Sequence, residues 1–517
     1  QELPLVFQDK IFVGPATKIT DPEWYTSLNL QPITQQDGSL WYAHVYDTTR
    51  WDRIASTFNL PNPSAIPEFF GDTMLVNGTV FPQAAVQARR YRFRMLNACN
   101  ARFLNLQLYI DDGSLNGITL NANGVPTNTP LINAATGDSS WLQIGTEGGF
   151  LSSPKKVASN IPFQINDPDF LAGGASLNPA LVAKSLLVAP AERPDVIIDF
   201  SSVPKNPDGT YKNIILYNDA ASPFPVGDDR NDYFPGWNVG DGVDGVGNPV
   251  NGTTAAGFGP NTRVLMRFKV VAPTGTADAP LTISAANFAA HIDPTYPGAP
   301  WGTTDTTTLP YKVRKITLNE YHDEFGRLIQ ILGNEDPNNP NAIFGTPYDG
   351  TATYLDYPPT GTPATVGATE EHVNAGDTEI WEVYNATGDV HPMHFHLVNV
   401  QLLNREVFDP AIFPYVGTGT FIPPADNELG WKETVPMYPG TITRAIMKFD
   451  ISQAKIFDKN MNPLNVTPSL PGQLPIVNGN PPVSPRTGGY EYVWHCHILE
   501  HEEHDMMHSL VVAPPVP

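Results

Sequence analysis

Residues 494–507 read WHCHILEHEEHDMM and concentrate histidine, cysteine and methionine, the side chains that bind soft metal ions. If the first part of this run is a β-strand, successive side chains alternate between its two faces. His495 and His497 then share one face, and Cys496 lies on the other. A single strand therefore presents a thiolate to one metal site and two imidazoles to a second.

A second histidine cluster, HPMHFH, occupies residues 391–396. The same alternation gives His394 and His396 a common face, and Pro392 is expected to disturb the strand so that His391 faces elsewhere. The histidines outside the two clusters and their flanks are isolated, and we expect them to be surface or hydrogen-bonded core residues: His44, His291, His322 and His372.

The residues around Cys496 have the composition of a copper site. Beyond the strand, His501 and Met506 can fold back toward Cys496 from a helical turn, and His391 is free to join them. Two histidines, one cysteine and a weakly bound methionine are the ligands of blue-copper electron-transfer sites. Structural zinc sites normally use paired Cys-x-x-Cys or Cys/His knuckles, which this sequence lacks. A chance histidine-rich strand is a further alternative, and the presence of two clusters with compatible geometry argues against it.

Other residues of the same stretch allow different interpretations. Glu502 follows His501 directly and is either a proton relay close to a metal cluster or an exposed carboxylate in an acidic turn. His504 and His508 are predicted to lie at the surface, and Met507 is predicted to pack rather than to bind metal.

The composition favours an all-β protein with more than one domain. A chain of 517 residues exceeds the size of a single core. Its 52 prolines and 42 glycines, with few helical stretches, are typical of short strands joined by turns. The net charge of −23 argues against nucleic acid and anionic membrane surfaces as partners. There are two cysteines, and a disulfide would consume Cys496, so we expect none.

The chain divides into four parts by composition. Residues 1–65 are rich in aromatic and turn residues and end in a proline-punctuated linker. Residues 66–275 and 311–517 contain runs with the two-residue alternation of half-buried strands, and residues 276–310 form a Gly/Pro/Thr-rich connector. We therefore predict two β-sandwich domains, the second of which carries both histidine clusters.

These motifs resemble a known family. HPMHFH and HCHILEHEEHDMM are similar to the two C-terminal signatures of the multicopper oxidases, and EFFGDTMLVNGTVFP and GWKETVPMYPG resemble the branch of spore-coat laccases, bilirubin oxidases and phenoxazinone synthases. The resemblance implies cupredoxin-like Greek-key β-sandwiches, with residues 66–275 and 311–517 as the family's second and third domains. By motif position it implies these copper ligands: His391, Cys496, His501 and Met506 for type 1 copper, His394 for type 2 copper, and His396, His495 and His497 for the type 3 pair.

The resemblance also implies an activity. A phenol, an aromatic amine or a bilirubin-like tetrapyrrole would give up electrons singly at type 1 copper, and Cys496 would pass them to a trinuclear cluster that reduces dioxygen to water. Glu502 would deliver protons there. A metal ion is an alternative reductant that the sequence leaves open.

One departure from the family pattern matters. The family's first domain supplies two further His-x-His motifs, and this sequence has none before His394. We therefore expect residues 1–65 to lead out of a missing first domain. The chain would then be a fragment, a nicked chain or one part of a split enzyme whose first domain is a separate polypeptide, and it would supply half of the type 2 and type 3 ligands. The alternatives are a type 1 copper electron-transfer protein without oxygen chemistry and a sandwich protein that keeps the ligands without metal. A secreted, periplasmic or cell-surface location is favoured over the cytoplasm.

Overall fold

The structure is a computed structural model. It describes residues 1–12, 38–41, 64, 66–121, 124–133, 137–158, 185–225, 227, 231–235, 242–243, 249–250, 253–254, 261–279, 281, 296–323, 325–334, 370–412, 415–470, 473–485 and 487–514. Within these residues, no helix is both long and apolar enough to cross a bilayer.

Strands are the main regular structure of the described residues. The strands before residue 300 are β1 (Glu2–Phe12), β2 (Leu40–Trp41), β3 (Thr73–Val76), β4 (Thr79–Val80), β5 (Gln83–Gln87), β6 (Arg90–Asn97), β7 (Leu104–Ile110), β8 (Trp141–Thr146), β9 (Gly149–Val157), β10 (Leu186–Val188), β11 (Asp195–Asp199), β12 (Ile214–Asn218), β13 (Phe234–Pro235), β14 (Gly242–Val243), β15 (Pro249–Val250), β16 (Thr253–Thr254) and β17 (Val264–Val271).

The strands after residue 300 are β18 (Lys312–His322), β19 (Leu328–Asn334), β20 (Glu370–Asn374), β21 (Thr378–Asn385), β22 (His391–Phe395), β23 (Val400–Phe408), β24 (Gly417–Ile422), β25 (Thr434–Met437), β26 (Thr441–Lys448), β27 (Tyr490–Cys496) and β28 (Met507–Ala513). Within the described ranges, single 3-10 turns lie at Phe200–Ser202, Asp426–Glu428 and Ile451–Gln453, and a short α-helix, α1, spans Leu499–Glu503.

Apart from β13–β16, which form two separate two-stranded sheets, these strands build two sandwiches of the same topology. The first pairs a sheet of order β4-β3-β1-β6-β11-β8-β9, with β2 added to β1, with a sheet of order β10-β7-β12-β17-β5. The second pairs β19-β18-β21-β26-β23-β24 with β25-β22-β27-β28-β20. In both, one parallel pair lies in each sheet: β1 with β6 and β5 with β17, then β18 with β21 and β20 with β28. The predicted all-β, cupredoxin-like Greek-key fold is confirmed.

The amino-terminal strand differs from the sequence expectation. Residues 1–65 were expected to precede the first sandwich, yet β1 pairs with β3 and β6 inside its larger sheet. Its side chains alternate between buried and less buried positions along ELPLVFQDKIF, which is the pattern of a strand with one face on a core. Phe7 on this strand is fully buried. The first sandwich therefore includes β1, and the other proposed boundaries remain predictions.

Each sandwich has its own core, and the second core reaches into the first sandwich. Between the two sheets of the first, Phe93 meets Phe268 at 5.6 Å between ring centroids. In the second, Trp381 and Trp494 make an edge contact at 5.2 Å. Phe103 and Phe224 of the first sandwich stack on each other and are buried in the core of the second. Full burial of an aromatic side chain contributes about 1.5–3 kcal/mol, so this shared core holds the sandwiches together.

Candidate metal centre

The two histidine clusters lie on neighbouring strands. β22 and β27 are antiparallel, with Met393 opposite Cys496 and His394 opposite His495. Because residues directly opposite each other point to the same face of a sheet, this register separates the thiol from the imidazole of His495. The predicted alternation along residues 494–497 is therefore confirmed.

The expected role of Pro392 is wrong. The proline lies within β22, opposite Pro436 of β25, and its carbonyl accepts a hydrogen bond from the backbone N–H of His497 at 2.8 Å. The strand continues through it without interruption. His391 and His394 are three residues apart, so alternation alone sends them to opposite faces.

Three donor atoms converge on the core side of this sheet. The Sγ atom of Cys496 lies 3.7 Å from Nδ1 of His391 and 3.7 Å from Nδ1 of His501, and the two nitrogens are 3.1 Å apart. All three side chains are fully buried. The point equidistant from the three atoms lies about 2.0 Å from each, which is close to ordinary metal–nitrogen and metal–sulfur bond lengths. The donor set therefore fits a small transition-metal ion.

Hydrogen bonds set the tautomer of His391. The hydroxyl of Thr387 lies 2.8 Å from Oδ1 of Asn385 and 2.7 Å from Nε2 of His391. A hydroxyl has one hydrogen, and the amide oxygen can only accept, so the hydroxyl donates to Asn385 and accepts from His391. Nε2 of His391 is therefore protonated, and the lone pair of Nδ1 faces the thiol.

His501 reaches the thiol from helix α1. The backbone N–H of Met506 donates to the carbonyl of His501 at 3.1 Å, so the chain folds back immediately after the helix. The first sandwich supports this helix, because the amide of Asn100 donates to Oε1 of Glu500 at 2.9 Å. Nε2 of His501 points to Glu68, whose nearest oxygen is 3.6 Å away.

Met506 closes the same group of residues. It is fully buried, and its carbonyl accepts a hydrogen bond from the backbone N–H of Cys496 at 2.9 Å. The pairing of His495 with Met507 in β27 and β28 places Met506 directly beside Cys496. Met507 is partly exposed, so its predicted packing role remains a prediction.

Burial keeps the first group neutral when no cation is present. It lowers the pKa of His391 to about 3 and holds that of His501 well below its ordinary value. It raises the pKa of the Cys496 thiol well above its ordinary value. Neutral imidazoles are ready to bind a metal ion, whereas a buried thiol ionises only when a bound cation compensates its charge.

A second group lies on the opposite face of the sheet. One nitrogen of each of His394, His396 and His495 lies within 4.8 Å of the others. His497 completes the group, with ring centroids 5.5 Å from His394 and 5.4 Å from His495. Desolvation, followed by repulsion among the imidazoles, lowers the pKa of His394 to about 3. Four imidazoles gathered on one face make a surface that can hold metal ions.

His495 presents a defined nitrogen to this group. Its Nδ1 lies 2.9 Å from the carbonyl of Cys496 and 3.1 Å from Oε2 of Glu502. The carbonyl can only accept, so Nδ1 carries the proton. The lone pair of Nε2, which lies 3.3 Å from Nε2 of His396, therefore faces the imidazole group. The bond to His495 lowers the pKa of Glu502 despite partial burial. Glu502 therefore lies beside the imidazole group, which is the position that the proton-relay interpretation of the sequence requires.

Two residues near the groups had not been identified from the sequence. The hydroxyl of Thr434 lies 3.0 Å from Nδ1 of His394, and Glu68 lies beside His501. Both belong to quoted motifs, GWKETVPMYPG and EFFGDTMLVNGTVFP, but neither is a histidine, cysteine or methionine. Their positions within these family-like motifs were the one signal in the sequence that could have identified them.

The other histidines that the structure describes belong to neither group. His508 is buried and contacts Glu371 at 3.2 Å, so its predicted surface position is wrong, and half-buried His504 contacts Gln330 at 2.7 Å. The isolated histidines have these positions: His372 in β20, His322 at the end of β18, and His44 and His291 outside the described residues.

Comparisons with known proteins agree with the sequence resemblance. A family profile described as "Multicopper oxidase" matches residues 329–457 and 485–516. A laccase of Bacillus subtilis (strain 168) is 28% identical over 487 residues, which are 93% of this chain and 60% of that protein. Multicopper oxidase LPR1 homolog 3 of Oryza sativa subsp. japonica is 26% identical, with coverage of 95% and 78%.

A solved structure is similar over the same extent. The McoA multicopper oxidase of the hyperthermophile Aquifex aeolicus matches 99% of this chain and 66% of its own with 21% identity and a TM-score of 0.47. The chain spans about three fifths of the length of the Bacillus laccases that it matches.

A cupredoxin-like sandwich with a buried His/Cys/His group beside a histidine cluster defines a copper protein. The profile match and the laccase relatives indicate which class of copper protein this chain resembles. Residues 329–457 and 485–516 match the multicopper oxidase family, and most of the chain is similar to laccases.

Proposed function

We propose that this chain carries the type 1 copper site and half of the trinuclear-cluster ligands of a laccase-like oxidase. The observation that carries the proposal is the position of Cys496, which joins one donor group by its side chain and the other through the backbone of His495 and His497. Copper bound in the two groups would supply one-electron oxidation of a reductant and four-electron reduction of dioxygen to water.

The residues of the chain have distinct tasks in this proposal. His391, Cys496 and His501 would hold the type 1 ion, and Met506 would be a further, weaker ligand. His394 serves type 2 copper, and His396, His495 and His497 serve the type 3 pair. These assignments are supported by the convergence of the donor atoms and by the tautomers that the neighbouring hydroxyl and carbonyl groups impose.

The proposed reductants are phenols, aromatic amines and tetrapyrroles. Nδ1 of His501 faces the thiol, and its Nε2 points to Glu68, a buried residue of the first sandwich on which the proposed reductant contact rests. Burial raises the pKa of Glu68 well above its ordinary value, and the carbonyl oxygen of its carboxyl group can accept a hydrogen bond from an O–H or N–H group, which all three classes of reductant carry. The activity requires the remaining trinuclear ligands, for which a polypeptide with the first-domain motifs is the proposed partner.

Proton delivery is assigned to Glu502. Its carboxylate lies 3.1 Å from Nδ1 of His495 and its side chain is 26% exposed, so it contacts both the imidazole group and solvent. Reduction of dioxygen to water consumes protons, and a group in this position can hold one and pass it inward.

Visible spectroscopy of the copper-loaded protein tests the proposal. A copper(II)–thiolate bond at Cys496 should give an intense blue band, and Cys496→Ser should abolish it. Cys99→Ser is the matched control, because Cys99 is also a buried free thiol but lies in the first sandwich. The control should keep the band. A copper-loaded protein without any such band would end the type 1 assignment.

A further inference from the structure

A turn of the first sandwich holds the segment that orients one of the histidines. The turn comprises residues 146–149, between β8 and β9, and the segment comprises residues 431–434, which lead into β25. The segment ends at Thr434, the residue whose hydroxyl lies beside His394. We propose that this turn positions His394 for copper through Glu147 and Thr434, an inference that rests on the proposed function.

The turn contacts the segment at several backbone and side-chain groups. The hydroxyl of Thr146 donates to the carbonyl of Trp431 at 2.7 Å. Gly148 packs so closely that a Cβ atom on it would lie 2.1 Å from the same carbonyl oxygen. A methyl group cannot fit there without displacement of backbone. The turn therefore fixes where residue 431 lies.

Glu147 holds the other end of the segment. Its buried carboxylate lies 3.0 Å from Nζ of Lys432 and accepts long hydrogen bonds from the backbone N–H groups of Glu433, at 3.3 Å, and Thr434, at 3.4 Å. Each long bond is weak by itself, but all of them involve one carboxylate that is 1% exposed. Thr434 is therefore held from outside its own sandwich.

Thr434 in turn selects the nitrogen that His394 offers. Its hydroxyl lies 3.0 Å from Nδ1, so Nε2 is the nitrogen left for a metal ion. Histidines that bind metals usually donate their second N–H to such a partner, and loss of the partner weakens metal binding by about 10–100-fold. Because Thr434 is also opposite His394 in the β22–β25 ladder, displacement of the segment moves both partners.

The test measures copper on the imidazole group separately from type 1 copper. The copper-loaded protein is dialysed against increasing concentrations of a chelator. Electron paramagnetic resonance then measures how much non-blue Cu(II) remains bound, and visible absorption measures the blue band. Thr434→Val should lower retention of the non-blue copper by about 10–100-fold, and Thr434→Ser should restore it. Glu147→Gln should lower it in the same direction, with the blue band unchanged in every variant.

A matched control and two contrary results complete the design. Glu433→Gln removes an ion pair with Arg193 at the same interface but leaves the contacts of Glu147 and Thr434 intact, so it should behave as wild type. Wild-type retention in both Thr434→Val and Glu147→Gln would overturn the inference and leave the proposed function standing. A wild-type protein with blue copper and no non-blue copper would overturn both.

Discussion

Lys432 links the two sandwiches through buried charges, and its replacement gives a stability prediction. Nζ lies 2.8 Å from Oε1 of Glu192 and 3.0 Å from Oε1 of Glu147, both in the first sandwich. The lysine side chain is 3% exposed and that of Glu147 is 1% exposed. Lys432→Met keeps the length of the side chain but leaves two buried carboxylates without their cation.

Removal of one partner from a buried ion pair destabilises a protein by about 3–5 kcal/mol. We expect Lys432→Met to lose that amount, because burial already raises the pKa of Glu192 even with the lysine present. Burial lowers the pKa of Lys432, but attraction to Glu147 and Glu192 outweighs it and raises the pKa above the ordinary 10.5. The part of the stabilisation that depends on the charge of Lys432 is therefore fully present below about pH 10, where the carboxylates are ionised, and is lost as the pH rises through the higher folded value.

Equilibrium unfolding in urea measures this loss. Lys455→Met is the matched control, because Lys455 is exposed and its replacement should change stability by less than about 0.5 kcal/mol. Lys432→Met combined with Glu192→Gln should be less destabilised than the sum of the two single variants, since both belong to one network. A loss below about 1 kcal/mol in Lys432→Met, or strict additivity, would refute the account of a buried charge network.

Three further predictions concern the copper groups. Met506→Leu should keep the blue colour and raise the reduction potential, because it removes the weak axial ligand; an unchanged potential in a voltammetric measurement would mean that Met506 does not face the copper. Glu502→Gln should keep the blue band but slow turnover and increase the solvent isotope effect, and wild-type values of both would make Glu502 an ordinary surface carboxylate. A polypeptide of residues 1–517 alone should hold blue copper without sustained oxygen consumption, because it carries half of the trinuclear ligands; an oxygen electrode would reveal the contrary.

The alternation of side chains along β22 and β27 was predictable from the sequence because it is a local property. The opposite faces of His495 and Cys496 follow from a period of two residues, whatever the strands pack against. The same rule, applied without an exception for Pro392, separates His391 from His394 as well. The all-β fold followed from the same pattern and from the frequency of turn residues.

The partners of these ligands could not be predicted in the same way. Glu68 and Glu147 belong to the first sandwich and meet the second only through the tertiary fold, so no spacing in the sequence connects them with a histidine. The position of β1 in the first sandwich could not be predicted for a similar reason. Its partner β6 begins only at Arg90, and residues 13–37 separate β1 from the next described residues. The assignment of each ligand to a copper type remains a prediction.

The strand β27 sets an unusual limit on changes of chain length. Its seven residues end with Cys496, and insertion of one residue before His495 would exchange the faces of thiol and imidazoles, provided that the upstream register held. Upstream, the described part of residues 449–489 contains no strand, so a length change there need not alter the register of β27. Libraries that vary length should therefore lose copper at both groups when they alter Tyr490–Cys496, and tolerate changes in the preceding connection. Because the two donor groups share one strand, a single deletion in that strand would disrupt both.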